Sequence, residues 1–243
     1  WGAGDPPNIV NAAHWYDALT LFMKTFNPEF TVDFNTQLPI MGADAVAQST
    51  VEQLAKLKHA SVEHMGGVPT LIGEFGLPFD LDDKQAYKTG DYTPHIQALS
   101  LYYAAMDANL LHCTLWNYTA DNTNARGDGW NDEDLSIFSL DQQTDPANIH
   151  SGGRALAAVV RPYARATVGE PLRMAFDPAT RVFEFEYQPN ASINAPTEIF
   201  VPDYHYPGGY TVTLAHGTYE QQPGQVLVST TSQATQTVRI TPS

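Results

Sequence analysis

The clearest indication of the fold class lies in residues 68–76, Val68-Pro69-Thr70-Leu71-Ile72-Gly73-Glu74-Phe75-Gly76. A short apolar run ends there in a carboxylate between two glycines, which is typical of a buried β-strand that meets a functional edge. Two similar runs lie on either side of it, at residues 8–13 and 110–116. We therefore expect three short buried strands in this part of the chain.

Longer helical patterns separate these strands. Residues 44–65 predict a helix that Asp44 caps, with apolar residues at helical spacing: Val51, Leu54, Leu57 and Val62. Thr93-Pro94 predicts the start of a second helix, with a stripe formed by Ile96, Leu99, Tyr103 and Met106. Residues 153–161 predict a last helix that Pro162 ends. Repeated βα units of this kind indicate an α/β fold with a parallel sheet.

The pattern changes near residue 166. In residues 181–187, Phe183, Phe185 and Tyr187 alternate with Glu184 and Glu186, which is the period of a half-buried strand. Further β-rich runs follow, separated by Pro/Gly turns, at 197–201, 210–214, 225–229 and 235–241. We therefore predict two domains: an α/β part at 1–165 and a small antiparallel β-sandwich at 166–243.

Three βα units are too few to close a barrel. A (β/α)₈ barrel takes about 250 residues, and the predicted α/β part ends at residue 165. This part is therefore either a small open sheet or the last portion of a barrel whose first strands lie elsewhere.

The chain of 243 residues has a formal net charge of -15, with 27 acidic against 12 basic side chains. This balance disfavours a nucleic-acid partner, which would require clustered lysine and arginine, and charge-driven docking on an anionic membrane. Strong acidity leans slightly toward an extracellular or periplasmic location. The sequence holds no dinucleotide or phosphate-loop motif and no His or Cys pair at metal spacing, so we expect neither cofactor nor metal.

Polar or aromatic residues follow each predicted strand: His14 and Tyr16, then Glu74, then Trp116 and Asn117. Because the carboxyl ends of parallel strands face the ligand in βα folds, we expect these side chains to share one site. Each residue alone has a plainer interpretation. Glu74 could cap a loop or pair with a distant arginine, and His14 and Trp116 could belong to the core.

Two loops near these strand ends are candidates for substrate contacts. Residues 121–134 combine five acidic side chains with Trp130, and Trp130, Asp128 and Glu133 are the candidates for ligand contacts there; a solvated loop or a calcium site are the alternatives. The apolar residues 19–30 could contact a lipid or could simply pack a short helix against the core.

The ordered motifs resemble a known family. Gly73-Glu74-Phe75-Gly76, His14-x-Tyr16 and Leu115-Trp116-Asn117-Tyr118 resemble the second half of a glycoside hydrolase family 5 barrel, with an appended sandwich. The similarity is greatest to the branch of endoglycoceramidases, glucosylceramidases and steryl-β-glucosidases. Residues 127–136 and 153–163 resemble the segments that close the barrel in its β-glucosidase-like members.

The resemblance implies a retaining β-glycosidase acting on glucosides with a hydrophobic aglycone, in which Glu74 is the nucleophile. It places Tyr16 and His14 beside Glu74 and makes Trp116 the platform on which the sugar ring stacks. The three strands would be about the sixth to the eighth of a TIM barrel. An endoglycoceramidase that releases an oligosaccharide and a non-catalytic carbohydrate-binding fragment are the alternatives.

The sequence departs from the family in one respect. The acid/base carboxylate of the family lies on an Asn-Glu-Pro segment, and no Asn-Glu dipeptide occurs in this chain. We do not assign the acid/base role to Glu133 or Asp128, because the only argument for either is that it is present in the chain. We therefore expect the acid/base residue to come from the N-terminal part of the same barrel, as a partner or a preceding segment.

Overall fold

The computed structural model describes residues 2, 4–33 and 36–243, which form two compact units, residues 1–156 and 157–243. Trp1, Ala3, Phe34 and Asn35 lie outside the described residues. The first unit is built on a parallel sheet, and the second consists of antiparallel sheets. In the described part of the chain, no helix combines the length and apolar character needed to cross a membrane.

The first unit alternates strands and helices. Its elements are β1 (Asn11–His14), α1 (Ala18–Met23), β2 (Phe30–Asp33), β3 (Leu38–Met41), α2 (Ala43–His64), β4 (Thr70–Phe75), α3 (Leu81–Thr89), α4 (Thr93–Ala108) and β5 (His112–Leu115). A short helix, α5 (Leu156–Val159), follows after a long loop. The three predicted strands are β1, β4 and β5, and sequence analysis missed the hairpin of β2 and β3.

The three strands pair in the order β1-β4-β5, and both pairs are parallel. In the register of the sheet His14 lies opposite Glu74, and Phe75 lies opposite Leu115. Beyond the strand ends, the Trp116 N–H donates to the Phe75 carbonyl at 2.7 Å. The predicted strand-end residues therefore emerge at one edge of the sheet.

The helices differ from the prediction in three respects. Gly42 occupies the N-cap of α2 without a side-chain cap, so Asp44 lies in the first turn, where its charge favours the helix N-terminus. Of the predicted stripe of α2, Leu54 is fully buried, whereas Val62 is 64% exposed; the other buried residues of the helix are Val46, Thr50 and Ser61. The last helix is much shorter than predicted because Ala155 has a left-handed φ of 52°, from which a helix does not propagate.

The second unit contains eight strands in two four-stranded sheets, ordered β10-β13-β8-β7 and β11-β12-β9-β6. The strands are β6 (Tyr163–Ala166), β7 (Gly169–Asp177), β8 (Val182–Pro189), β9 (Thr197–Phe200), β10 (Tyr210–Leu214), β11 (Thr218–Gln222), β12 (Gln225–Ser229) and β13 (Gln236–Pro242). Five of them match the predicted runs. Sequence analysis missed β6, β7 and β11, whose side chains do not alternate cleanly between buried and exposed.

The core of the second unit follows from the alternation along β8. Phe183, Phe185 and Tyr187 are at most 1% exposed and pack against buried aliphatic residues of the facing strands. On the other face, Glu184 accepts from Arg173 and Arg239, one on each neighbouring strand. Burying three aromatic side chains supplies much of the apolar area that holds these strands together.

Gly76 lies where the backbone that follows β4 passes close to the backbone that follows β5. A Cβ atom at this position would lie 2.2 Å from the Trp116 carbonyl oxygen. Because both sides of this contact are backbone, we expect Gly76→Ala to lower the free energy of unfolding by about 1–3 kcal/mol. Urea denaturation measures this loss.

The control is Gly208→Ala, where a Cβ atom would have no heavy atom within 4 Å. We expect this control to leave stability unchanged or slightly higher. Equal stability of the two variants would contradict the close approach.

Candidate active site

Glu74 is the centre of the candidate active site. It lies at the carboxyl end of β4, and its side chain is 26% exposed. The Tyr16 hydroxyl donates to its Oε1 atom at 2.6 Å, and Nδ1 of His14 lies 3.7 Å from Oε2. Glu74 is therefore engaged by the residues that follow β1, as the predicted convergence of strand ends requires.

His14 has the exposure of a ligand-facing side chain. Sixty per cent of its side chain is exposed, so it is not a core histidine. Its distance of 3.7 Å from the Glu74 carboxylate allows an ion pair when the imidazole is protonated. One ring nitrogen faces Glu74, and the exposure of the ring leaves it open to a ligand.

Tyr16 is held as a hydrogen-bond donor. Burial is the main cause that raises the pKa of its phenol far above the ordinary value, followed by the hydrogen bond to Glu74 and the Glu74 charge. The nearby charges of Glu133 and Asp128 act in the same direction. The hydroxyl therefore keeps its proton throughout the neutral range and stabilises an ionised carboxylate.

The acidic loop, residues 121–134, reaches the same site after β5. Asp128 organises it: the carboxylate accepts from the Asn117 side chain and from the backbone N–H groups of Leu135 and Trp130, each at 3.1 Å. A carboxylate offers roughly four acceptor positions, so these contacts leave little capacity for a ligand. The Trp130 side chain, in contrast, is 59% exposed and open to one.

Glu133 faces the other carboxylates of the site. Partial burial, then Asp128, then Glu74 raise the pKa of its carboxyl above the ordinary value, while Lys24 opposes the shift. The charges of Asp128 and Glu74 therefore act together on the Glu133 carboxyl. The site therefore holds three carboxylates and two hydrogen-bond donors, His14 and Tyr16.

Trp116 and Asn117 lie at the end of β5 and are joined by a cis peptide bond. Both residues are partly buried. Asn117 contributes to the acidic loop through its side chain on Asp128, and its Oδ1 accepts from the Thr119 hydroxyl at 3.1 Å. Asn117 thus joins the third strand end to the loop that carries Glu133.

Sequence analysis missed two residues that support this loop, Asp134 and Arg154. Arg154 is fully buried and pairs with the Asp134 carboxylate, which also accepts from Tyr87 and Asn122. Asp134 and Arg154 lie in the segments 127–136 and 153–163 that resemble the family, but nothing in the sequence indicates that they pair. Among the described residues, no group of three or more His, Cys, Asp or Glu side chains is arranged to hold a metal ion.

An edge of parallel strands with a tyrosine-bound glutamate, accessory carboxylates and exposed aromatic rings is an arrangement found in glycosidases. Residues 161–241 match the family described as glycoside hydrolase family 5 C-terminal domain. As the motifs predicted, the chain is similar to the C-terminal part of family 5 enzymes of the glucosylceramidase, steryl-β-glucosidase and endoglycoceramidase branch.

Individual relatives support this assignment. A glucosylceramidase of Rhizopus delemar is 31% identical over 82% of this chain and 32% of its own length. The crystal structure of Cryptococcus neoformans sterylglucosidase 1 with tris superposes with a TM-score of 0.86 at 32% identity, covering 96% of this chain and 38% of that chain. Endoglycoceramidase II from Rhodococcus sp., at 21% identity and a TM-score of 0.55, covers 83% of this chain and 38% of its own and shares the fold.

The chain spans about a third of the length of the curated glucosylceramidases that it matches, between 30% and 36%. The residues that complete these relatives have no counterpart in the chain described here. What the whole protein does is therefore a matter for proposal.

The contact between Tyr16 and Glu74 can be tested by titration. Since Glu74 raises the pKa of Tyr16 through a hydrogen bond and through charge, we expect Glu74→Gln to lower that pKa. Burial remains in the variant and keeps the pKa above its ordinary value. Carbon-13 NMR of labelled tyrosine measures the shift.

Glu63→Gln is the matched control, because Glu63 is 56% exposed and lies beside His59 and His64 on α2. It should leave the Tyr16 titration unchanged. An unchanged Tyr16 titration in Glu74→Gln would contradict the hydrogen bond.

Proposed function

We propose that this chain is the C-terminal part of a retaining β-glycosidase that hydrolyses glucosides with a hydrophobic aglycone. The observation that carries the proposal is the Glu74 carboxylate, which accepts from Tyr16 at 2.6 Å at the ligand-facing edge of the parallel sheet. The likeness to glucosylceramidases and sterylglucosidase supports the class of substrate.

Glu74 acts as the nucleophile in this proposal. Its oxygen forms a bond to the anomeric carbon while the bond from that carbon to the aglycone oxygen breaks, and the aglycone oxygen receives a proton from an acid/base group. Water then attacks the anomeric carbon of the glycosyl ester and gives a proton to the acid/base group, and the Glu74 carboxylate is released. The donor Tyr16 orients the carboxylate, and His14 contacts sugar hydroxyls or the acid/base group.

The acid/base group belongs to residues outside this chain. We propose that β1, β4 and β5 are the sixth, seventh and eighth strands of a TIM barrel and that its N-terminal part supplies the missing glutamate. In support, β1 and β5 are the outer strands of the described sheet, each with one side left for a further strand. In retaining enzymes the two carboxyl groups stand about 5–5.5 Å apart, so the glutamate must come from a strand that closes over Glu74.

Sugar recognition falls to the residues that follow β5. We assign the sugar platform to Trp116 and further contacts to Asn117, Trp130 and Glu133. Asp128 has at most one free acceptor position, so its contribution is mainly to shape the loop. Carboxylates suit a neutral polyol, whose hydroxyls donate to them, whereas they would repel a phosphorylated ligand.

The aglycone would meet the segment 19–30. Here Phe22 is 78% exposed and Met23 is 65% exposed at the end of α1, which fits contact with a lipid better than core packing. The adjacent cleft of about 560 Å³ is lined by charged residues, among them Lys24 and Asp80. A lipid chain would therefore follow the exposed face of α1 and leave the charged cleft to polar groups.

A non-catalytic carbohydrate-binding chain is the second candidate. One observation favours it: the sequence holds no Asn-Glu dipeptide and so lacks the acid/base segment of the family. In that case the chain would bind sugars through Trp116 and Trp130 without hydrolysis, even when combined with the preceding barrel strands. An endoglycoceramidase, which releases an oligosaccharide, differs from the main proposal only in the length of the sugar chain that it accepts.

Nucleophile replacement with chemical rescue tests the main proposal. In the polypeptide that joins the N-terminal barrel strands to this chain, we expect Glu74→Ala to lower kcat/KM on an aryl β-glucoside by at least about a thousandfold. Azide should restore turnover, because it fits the space of the lost carboxylate and attacks the anomeric carbon to give the α-glucosyl azide. Kinetic assay and product NMR measure both effects.

Glu63→Ala, at an exposed site on α2, is the control and should behave as the parent. Activity retained in Glu74→Ala would refute the nucleophile. A parent polypeptide that binds glucosides without hydrolysing them would favour the carbohydrate-binding alternative.

Paired substrates test the lipid contact. We expect Phe22→Ser to raise KM for a glucosylceramide several-fold, because an exposed apolar contact is lost, and to leave hydrolysis of a soluble aryl glucoside unchanged. Val62→Ser is the matched control, as Val62 is also exposed but lies on α2. Equal losses on both substrates would exclude the proposed lipid contact.

A further inference from the structure

A buried ion pair between Arg154 and Asp134 anchors the acidic loop. Arg154 is 0% exposed, and its guanidinium binds the Asp134 carboxylate through two nitrogens, with Nη1 to Oδ2 at 2.9 Å. Its Nε also donates to the Ser136 carbonyl at 3.0 Å, and its plane lies 4.4 Å from the centre of the Phe79 ring. These contacts hold the guanidinium in a single orientation.

Asp134 is equally constrained. Its carboxylate accepts from the Tyr87 hydroxyl and, at 2.8 Å, from the Asn122 amide, in addition to Arg154. Its backbone carbonyl accepts from the Phe79 N–H at 2.6 Å. Both the side chain and the main chain of Asp134 are therefore tied to groups that follow β4 or β5.

Glu133 precedes Asp134 directly, and its own backbone closes the loop. Its N–H donates to the Trp130 carbonyl at 2.9 Å, and its carbonyl accepts from the Asp128 N–H at 3.0 Å. Asn117 holds the other end of this short segment through the Asp128 carboxylate. The Glu133 side chain thus projects from a segment that is clamped at both ends.

We propose that Arg154 is a positioning residue that fixes the loop segment carrying Glu133, acting through Asp134. This inference rests on the proposed glycosidase function, in which Glu133 contacts the sugar. Arg154 itself is buried behind the loop and does not touch the substrate.

The chemistry of the pair supports positioning over simple stabilisation. A buried ion pair adds little net stability, because the cost of removing two charges from water offsets most of their attraction. The planar fork of arginine does, however, fix a carboxylate in both distance and angle, which the single ammonium of lysine does not. Arg154 therefore supplies geometry to a residue that lies next to the sugar-binding carboxylate.

Arg154→Lys is the test variant, since it keeps the charge but loses the fork. Its effect is measured in the polypeptide that joins the N-terminal barrel strands to this chain, in both the parent and the Glu133→Gln background. We expect kcat/KM to fall at least tenfold in the parent background and less than twofold in Glu133→Gln. Arg126→Lys, an exposed arginine paired with Asp121 in the same loop, is the control and should change neither.

A merely structural arginine would lower activity by the same factor in both backgrounds, and that result overturns the proposal. If Arg154→Lys does not fold, as judged by its thermal melt, Tyr87→Phe replaces it. This variant removes one donor to Asp134 and keeps the ion pair, and the same two-background comparison then decides.

A second readout needs no activity. In the chain alone, carbon-13 NMR follows the Glu133 carboxyl, whose pKa is raised by burial, Asp128 and Glu74. If Arg154 positions Glu133, Arg154→Lys should lower that pKa toward its ordinary value, while Arg126→Lys should not. An unchanged Glu133 pKa in Arg154→Lys overturns the proposal. If the parent polypeptide has no hydrolytic activity, the proposed function is refuted, and the Glu133 pKa alone then decides the role of Arg154.

Discussion

The parallel pairing of β1 with β4 is the constraint on which the whole candidate site depends. Because parallel strands end at the same edge, the residues after β1 emerge beside Glu74 at the end of β4, and the Tyr16 hydroxyl reaches its carboxylate at 2.6 Å. The third strand adds Trp116, which approaches so closely that only glycine fits at position 76. A slip of one residue in this register would turn the strand-end side chains to the opposite face.

Repulsion among neighbouring carboxylates is the main cost of this arrangement. The structure offsets it with donors: Tyr16 on Glu74, backbone N–H groups and Asn117 on Asp128, and Arg154 on Asp134. At Glu133, burial and then the charges of Asp128 and Glu74 raise the pKa of the carboxyl. The result is a negatively charged edge of the sheet, consistent with the net charge of -15.

Sequence patterns over a few neighbouring residues predicted the features of the structure that depend on those residues alone. The three strands, the strand-end residues and the alternation along β8 could be found from apolar periodicity and from the motifs of the family. The exposure of Val62 and the edge strand β11 could not, since they depend on which faces other elements cover. The pair of Arg154 and Asp134 spans 20 positions and joins two loops, so no periodicity reveals it. The contacts of Asp128 with the Asn117 side chain and with two backbone N–H groups likewise form only in the folded loop, so the sequence does not show them.

Covalent labelling tests the proposed role of Glu74 as nucleophile. The polypeptide that joins the N-terminal barrel strands to this chain is incubated with 2-deoxy-2-fluoro-glucosyl fluoride, and its peptides are mapped by mass spectrometry. We expect one fluoroglucosyl ester, carried by Glu74. A label on another carboxylate such as Glu133, or no label in a preparation that turns over glucosides, would contradict it.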